Sequence, residues 1–188
     1  MTASNMIRVI WVVFFGYWFW SARSTKKVVS SEPTWTRIAH LTAMIVSFTL
    51  VLAGEFLPDF LREPLLPPSF PWEIVGVGIS SLGVSFAIWA RVTLGANWSG
   101  AVTLKKGHQI IKTGPYQWVR HPIYTGIIMN ILGSAIVSEE IRGLIAIVLV
   151  VVAYLVKIPK EEKLLSKHFP KDYPKYRAKT WKLVPFIF

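Results

Sequence analysis

Residues 114–126 read GPYQWVRHPIYTG and set an arginine and a histidine directly before a proline that opens an apolar run. Proline lacks an amide hydrogen and has a fixed φ, so Pro122 suits the first position of a helix. Arg120 and His121 then lie beside that helix's N-terminus, where unpaired N–H groups and the helix dipole favour an anion. A cation, a proton donor and a helix end together make a receptor for a carboxylate or a phosphate. Anchoring of the helix at lipid headgroups is the simpler role for Arg120, but the surroundings are denser than an interfacial belt requires. His108, Gly114, Tyr116, Trp118 and Tyr124 all fall in the same 17-residue stretch, 108–124.

A complementary charge lies in KIPKEEKLLSKHFPKDYPKY, residues 157–176. Pro159 is expected to start a further helix, on which Glu161, Leu164, Leu165 and His168 recur at i, i+3, i+4 and i+7. That spacing turns Glu161 to the apolar, inward face, where a carboxylate needs a cationic partner. The alternative is that Glu161 and Glu162 pair with neighbouring lysines at helical spacing. Taken together, Arg120 and His121 offer an anion site, Glu161 a cation site, and Tyr116 and Tyr124 aromatic surfaces. An amino-acid zwitterion joined to a flat base, such as S-adenosylmethionine, matches that set. A metal centre is not expected, because the chain has no cysteine and its four histidines show no ligand spacing.

The elements that must position these residues are apolar. Of 188 residues 53% are hydrophobic and nine are Trp, which points to a membrane protein rather than a wetted globule. Five apolar stretches occur, at 6–20, 38–57, 74–90, 123–137 and 143–156. A hydrocarbon core of about 30 Å needs roughly 20 helical residues, so the second fits directly and the third fits with its flanks. The last two are joined only by SEEIR, which predicts a tight helical hairpin. The first is rich in Trp and Phe and lacks an A-x-A cleavage site, so it reads as a retained span.

Loop charges test the count, since Lys and Arg gather on the cytoplasmic side. Segment 21–37 carries four, 91–121 carries five and 157–188 carries nine, whereas 58–73 has only Arg62 and 138–142 only Arg142. The expected architecture is therefore an all-α integral membrane protein with about five transmembrane helices, an outside N-terminus, and a cytoplasmic third loop and tail. It forms a single domain, 1–188, with three spans in 1–92 and the cofactor region, last two spans and tail in 93–188. The formal charge of +11 is spread between and after apolar runs, which excludes a nucleic-acid face. GVGISSLG (76–83) begins like a dinucleotide fingerprint but sits inside a span; Gly76 and Ser80 form a small-residue seam instead.

From about Leu94 onward the chain resembles the isoprenylcysteine carboxyl methyltransferase family and its wider relatives, the membrane phospholipid methyltransferases. The resemblance is carried by LGANWSG, GHQIIKTGPYQWVRHPIY, EEKLLSKHFPKDYPKY and a final PFI, in that order. It implies a helical membrane enzyme whose S-adenosylmethionine site is closed by cytoplasmic segments, beside a lipid-facing tunnel for a greasy substrate. The family's cofactor contacts fall on His108, Ile110 and Ile111, on Gly114 and Tyr116 of GPY, on His121, Pro122 and Tyr124 of HPIY, and on Glu161. The position that holds an arginine for the substrate carboxylate is Lys157 here, which keeps the charge without the bidentate fork.

Arg120, Lys157 and Glu162 are the candidate catalytic residues. The first two favour an anionic acceptor, and Glu162 is the spare base. The resemblance implies methyl transfer to a lipophilic or lipidated acceptor, with carboxyl O-methylation of an isoprenylcysteine-like molecule first. N-methylation of a phosphatidylethanolamine-type lipid, or a non-catalytic role in which the basic tail binds anionic membrane lipid, are the alternatives.

Overall fold

The computed structural model describes residues 1–24, 28–31, 34–65, 70–98, 103–105 and 110–186. Its helices are α1 (Ala3–Ser21), α2 (Thr34–Leu52), α3 (Phe70–Leu94), α4 (Pro122–Ser138), α5 (Ile141–His168) and a short α6 (Asp172–Arg177). Two short strands, β1 (Val28–Ser31) and β2 (Thr103–Lys105), pair antiparallel. The architecture is all-α as expected, with this ribbon added between connecting segments.

α4 is the central helix. Its apolar side chains carry no polar face, and it is buried along its length by Ile123, Ile127, Ile131 and small residues between them. α3 packs against it through glycine: a Cβ on Gly126 would meet Gly83 O and Ala87, and one on Gly133 would collide with Gly76 O and Ser80. The expected Gly76–Ser80 seam is therefore real, and Gly83 extends it. Within the seam Ser80 Oγ bonds Asn130, Ser134 Oγ donates to Asn130 O at 2.8 Å, and Trp11 of α1 donates to Ser134 Oγ at 3.0 Å. Polar groups at this depth have no water to turn to, so Ser80, Ser134 and Trp11 bond within the seam, while Asn130 Nδ2 is left without a hydrogen-bond partner among the described residues.

Two arginines fix the ends of the bundle. Arg91 of α3 donates to Ser21 O at 2.6 Å and to Gly95 O at 2.7 Å, with its guanidinium 4.6 Å from the Trp98 ring. At the opposite end Arg142 of α5 donates to Leu50 O and Val51 O, at 2.7 and 2.9 Å, and so caps the last carbonyls of α2. The α4–α5 turn is as tight as SEEIR implies. Glu139 there adopts φ 56°, and the loop before α3 clasps it through Leu65 N to Glu139 O and Ile141 N to Glu63 O. Successive long helices consequently alternate in direction.

Three helices, Thr34–Leu52, Pro71–Asn97 and Ile141–His168, are long and apolar enough to cross a membrane, and Pro122–Ser138 is a shorter apolar helix. Outward-facing Val12, Ile45, Leu82, Val148 and Val152 give the bundle a greasy exterior. The protein is an integral membrane protein. α1 falls outside those three, since its Trp, Tyr, Asn and Arg side chains lower its hydropathy.

One expected boundary is corrected. Pro159 does not start a new helix but lies inside α5, which runs unbroken to His168. Continuity carries the phase of the span into the polar segment: Val150, Tyr154, Lys157, Ile158 and Glu162 form one buried stripe. Glu162, not Glu161, is thus the fully inward carboxylate, and His168 is exposed.

Candidate functional site

The N-terminus of α4 and the last turns of α5 meet: Arg120 pairs with Glu162, and Tyr124 with Glu161. His121 is the N-cap residue of α4 and Pro122 its first position, so no proline amide is left unpaired. Before them, Gly114 takes φ 56° and opens a short 3-10 turn, Gly114–Gln117. A Cβ there would lie 2.9 Å from Thr93 Oγ1, so glycine serves both the turn and its seat on α3.

The C-terminal segment holds this stretch in place. Trp181 N donates to Trp118 O, Arg120 N to Trp181 O and His121 N to Lys182 O, at 3.0, 2.8 and 3.1 Å. Thr125 Oγ1 donates to Leu183 O at 2.7 Å, and Tyr176 OH of α6 donates to Tyr116 O at 2.7 Å. Burial pushes the phenols of Tyr116, Tyr173 and Tyr176 well up from their ordinary value, so all three are neutral at physiological pH.

Two linked clusters result. In the deeper one, Arg120 Nε donates to Glu162 Oε1 at 2.7 Å, with both side chains 6% exposed. The same guanidinium bonds Arg177 O and Thr180 O, and His121 Nε2 lies 3.3 Å from Glu162 Oε1. A buried carboxylate is tolerated here because it is paired and hydrogen-bonded. In the shallower cluster, Tyr124 OH donates to Glu161 Oε2 at 2.6 Å, and His121 Nδ1 lies 3.8 Å from that oxygen. The Tyr124 ring stacks on His121 at 5.3 Å and on Tyr154 at 4.2 Å, and Lys157 Nζ sits 5.3 Å from its centroid.

Six predicted residues are therefore brought together: Arg120, His121, Tyr124, Lys157, Glu161 and Glu162. Tyr116 joins them through Tyr176, while Ile110, Ile111 and Gly114 lie on the segment leading in. His108 lies outside the described residues. The expected roles of two residues change. Arg120 binds the protein's own Glu162 and backbone carbonyls rather than standing ready for an outside anion, and Glu162 is engaged rather than spare. Sequence reasoning missed Tyr154, Tyr176, Thr180 and the 181–183 pairing. A tyrosine inside an apolar span was the available signal for Tyr154.

No group of three or more His, Asp or Glu side chains among the described residues is placed to hold a metal ion. The site instead presents a half-exposed carboxylate, an imidazole, a lysine and stacked phenols at the edge of an apolar bundle. That set can orient a zwitterion and an anion side by side.

The sequence profile of the isoprenylcysteine carboxyl methyltransferase (ICMT) family matches residues 76–167. The chain is 29% identical over 154 residues to a probable protein-S-isoprenylcysteine O-methyltransferase of Oryza sativa subsp. indica, covering 78% of this chain and 81% of that one. It is 31% identical over 117 residues to the protein-S-isoprenylcysteine O-methyltransferase of Saccharomyces cerevisiae, covering 61% of this chain and 49% of the yeast protein. Its fold matches that of a eukaryotic intramembrane Ras methyltransferase, isoprenylcysteine carboxyl methyltransferase, with TM-score 0.52 at 23% identity, over 85% of this chain and 55% of that one. Profile and relatives converge on the part of the chain that builds the Arg120–Glu162 and Tyr124–Glu161 clusters, and over that part the chain is similar to the isoprenylcysteine carboxyl methyltransferase family.

Proposed function

We propose that this chain is a membrane methyltransferase that uses S-adenosylmethionine to esterify the carboxylate of an isoprenylcysteine-like acceptor. The observation that carries the reading is the pair of neighbouring carboxylates with different surroundings. Glu162 is buried on Arg120 and His121, while Glu161 is half-exposed on Tyr124. The residues present suit the donor: Glu161 meets an ammonium, His121 a carboxylate, and Tyr116 and Tyr124 offer aromatic faces, with Ile110, Ile111, Gly114 and Pro122 shaping the approach. When bound, S-adenosylmethionine supplies a sulfonium methyl group.

In-line displacement asks the protein for orientation and a dry site rather than for acid–base chemistry. Arg120 and Glu162 supply orientation by fixing the start of α4 to the end of α5. Lys157, nearly buried beside Tyr124, supplies positive charge for an acceptor anion. A carboxylate acceptor is already ionised at neutral pH, whereas an ammonium must first lose a proton to a base. Glu162 is a poor candidate for that base, because its accepting capacity is taken by Arg120 and His121. This favours oxygen over nitrogen as the methylated atom.

The same reading treats 1–188 as one domain with five spans, an outside N-terminus and the site on the cytoplasmic side. The basic segments 21–37, 91–121 and 157–188 then share one face. The deciding experiment is transfer of radiolabelled methyl from S-adenosylmethionine to N-acetyl-S-farnesylcysteine by the purified chain in nanodiscs. A base-labile methyl ester is expected. A base-stable product on phosphatidylethanolamine, with no turnover of the prenylcysteine, overturns the proposal.

A further inference from the structure

The end of the bundle away from the Arg120–Glu162 pair holds a cavity of 230 Å³ with a mostly polar wall. α4 runs from one to the other: His121 and Pro122 stand at its start, whereas Ser134 and Ser138 of its last turns line the cavity. At 1.5 Å per residue the two ends lie about 25 Å apart, close to the ~30 Å of a hydrocarbon core. The cavity therefore opens at the opposite membrane boundary, out of reach of the site described above.

Its described lining sets three guanidiniums, of Arg8, Arg62 and Arg142, against two carboxylates, of Glu55 and Glu140. Arg142 is fixed: it pairs with Glu140, donates to Leu50 O and Val51 O, and sits against Gly54, where a Cβ would collide with its guanidinium. Arg8 pairs with Glu55 and Arg62 with Asp59 in exposed contacts that solvent screens, so either guanidinium can turn to another anion at little cost. Asp59 is 94% exposed and lies outside the lining, which leaves the wall with one positive charge in excess. A single anion balances it. The rest of the wall is apolar, made by Ile7, Val51, Leu52 and Val137, which pack on the core. Beside the mouth, Phe56 and Phe60 directly follow Glu55 and Asp59 and are 88% and 62% exposed. Two bare phenyl rings are unfavourable in water and place this loop against the bilayer.

We infer that this cavity binds the phosphodiester of a membrane glycerophospholipid, gripped by Arg8, Arg62 and Arg142, with the acyl chains lying against the apolar exterior of the bundle. A phosphodiester carries the one negative charge the wall lacks, and guanidiniums match its oxygens two at a time. The apolar part of the wall and the two phenyl rings select a lipid over a soluble phosphate ester. The site does not depend on the methyl transfer proposed above.

Two measurements on the full chain, purified in detergent and stripped of lipid, test it. Saturating dioleoylphosphatidylglycerol is expected to raise Tm by about 5 °C, while dioleoylglycerol, which has the same chains and no phosphate, leaves it unchanged. Joint replacement Arg8→Gln and Arg62→Gln should leave the lipid-free Tm near wild type and raise the apparent Kd for the phospholipid roughly ten- to hundredfold. Lys171→Gln, at an exposed lysine of the other end, should keep the wild-type response. An equal shift with dioleoylglycerol, an undiminished response in the double variant, or an equal loss in Lys171→Gln overturns the site, and an equal shift with glycerol 3-phosphate overturns its assignment to a lipid. The second measurement needs no variant: phosphatidylglycerol with a photoreactive headgroup should crosslink the wild type within residues 1–10 or 54–62. Crosslinks confined to the basic segment 163–179 overturn the proposal.

Discussion

Arg120 and Glu162, 42 positions apart in the chain, meet as a buried ion pair at 2.7 Å that bolts the start of α4 to the end of α5. Its neighbour Glu161 is more exposed and accepts from Tyr124 OH at 2.6 Å, with His121 Nδ1 3.8 Å away. The two adjacent carboxylates should respond to the same substitution in opposite ways. Glu162→Gln leaves Arg120 as an uncompensated buried charge and is expected to cost about 3–5 kcal/mol of stability. Glu161→Gln is expected to leave thermal unfolding nearly unchanged and to weaken S-adenosylmethionine binding strongly. Differential scanning fluorimetry in detergent and calorimetric titration with the donor separate the two; matching losses of stability in both variants would contradict the division of roles.

Tyr124 links the site's geometry to its chemistry. Tyr124→Phe keeps the stack on His121 and Tyr154 but removes the hydroxyl that orients Glu161. A hydrogen bond to a charged group contributes about 1.5–3 kcal/mol, so donor affinity should fall roughly ten- to hundredfold with little change in Tm. Tyr124→Leu removes the stack as well and should lower both. Equal donor affinity in Tyr124→Phe and wild type would show that the hydroxyl does not position Glu161.

The parts of this arrangement that were legible in the sequence are those set by local rules. Pro122 opening α4, the tight turn between α4 and α5, and the Gly76–Ser80 seam each follow from one residue's steric limits. The identity of the inward carboxylate was not legible. Pro159 read as a helix start, and only the packing of α5 along α4 and α2 keeps the helix running through it. That one difference rotates the inward face from Glu161 to Glu162. The holding of Arg120 by Arg177 O and Thr180 O was equally hidden, because backbone carbonyls as partners leave no mark in residue type.

The glycine seam offers a test of the fold independent of the site. Gly126→Ala puts a methyl group against Gly83 O and Ala87, so α3 and α4 have to separate. Overpacking of this kind costs about 1–3 kcal/mol. Gly16, which has nothing near its Cβ position, is the control and should tolerate alanine. A lower Tm in Gly126→Ala with an unchanged Tm in Gly16→Ala is the expected result.

Helix direction and loop charge together predict which segments share a side of the membrane. The chain has no cysteine, so single cysteines report without background. Glu63→Cys lies in the loop that clasps the α4–α5 turn, and Lys171→Cys lies beyond the end of α5. A membrane-impermeant maleimide added to intact cells should label the first and reach the second only after permeabilisation. Labelling of both from outside would remove the five-span arrangement.

Lys157 is the sharpest test of the acceptor's charge. It is 5% exposed, sits beside Tyr124 and belongs to the buried stripe of α5, so its ammonium is held where an anion would otherwise be unfavourable. Lys157→Met keeps most of the side chain's volume and removes the charge, which separates packing from electrostatics. If the acceptor is a carboxylate, KM for N-acetyl-S-farnesylcysteine should rise about tenfold or more while KM for S-adenosylmethionine moves little. Lys157→Arg should retain activity, because the fork of a guanidinium grips a carboxylate at least as well as an ammonium does. If the acceptor were an amine headgroup, removing this cation would relieve repulsion and lower its KM. The sign of the KM change for the acceptor therefore decides the charge of the group that is methylated.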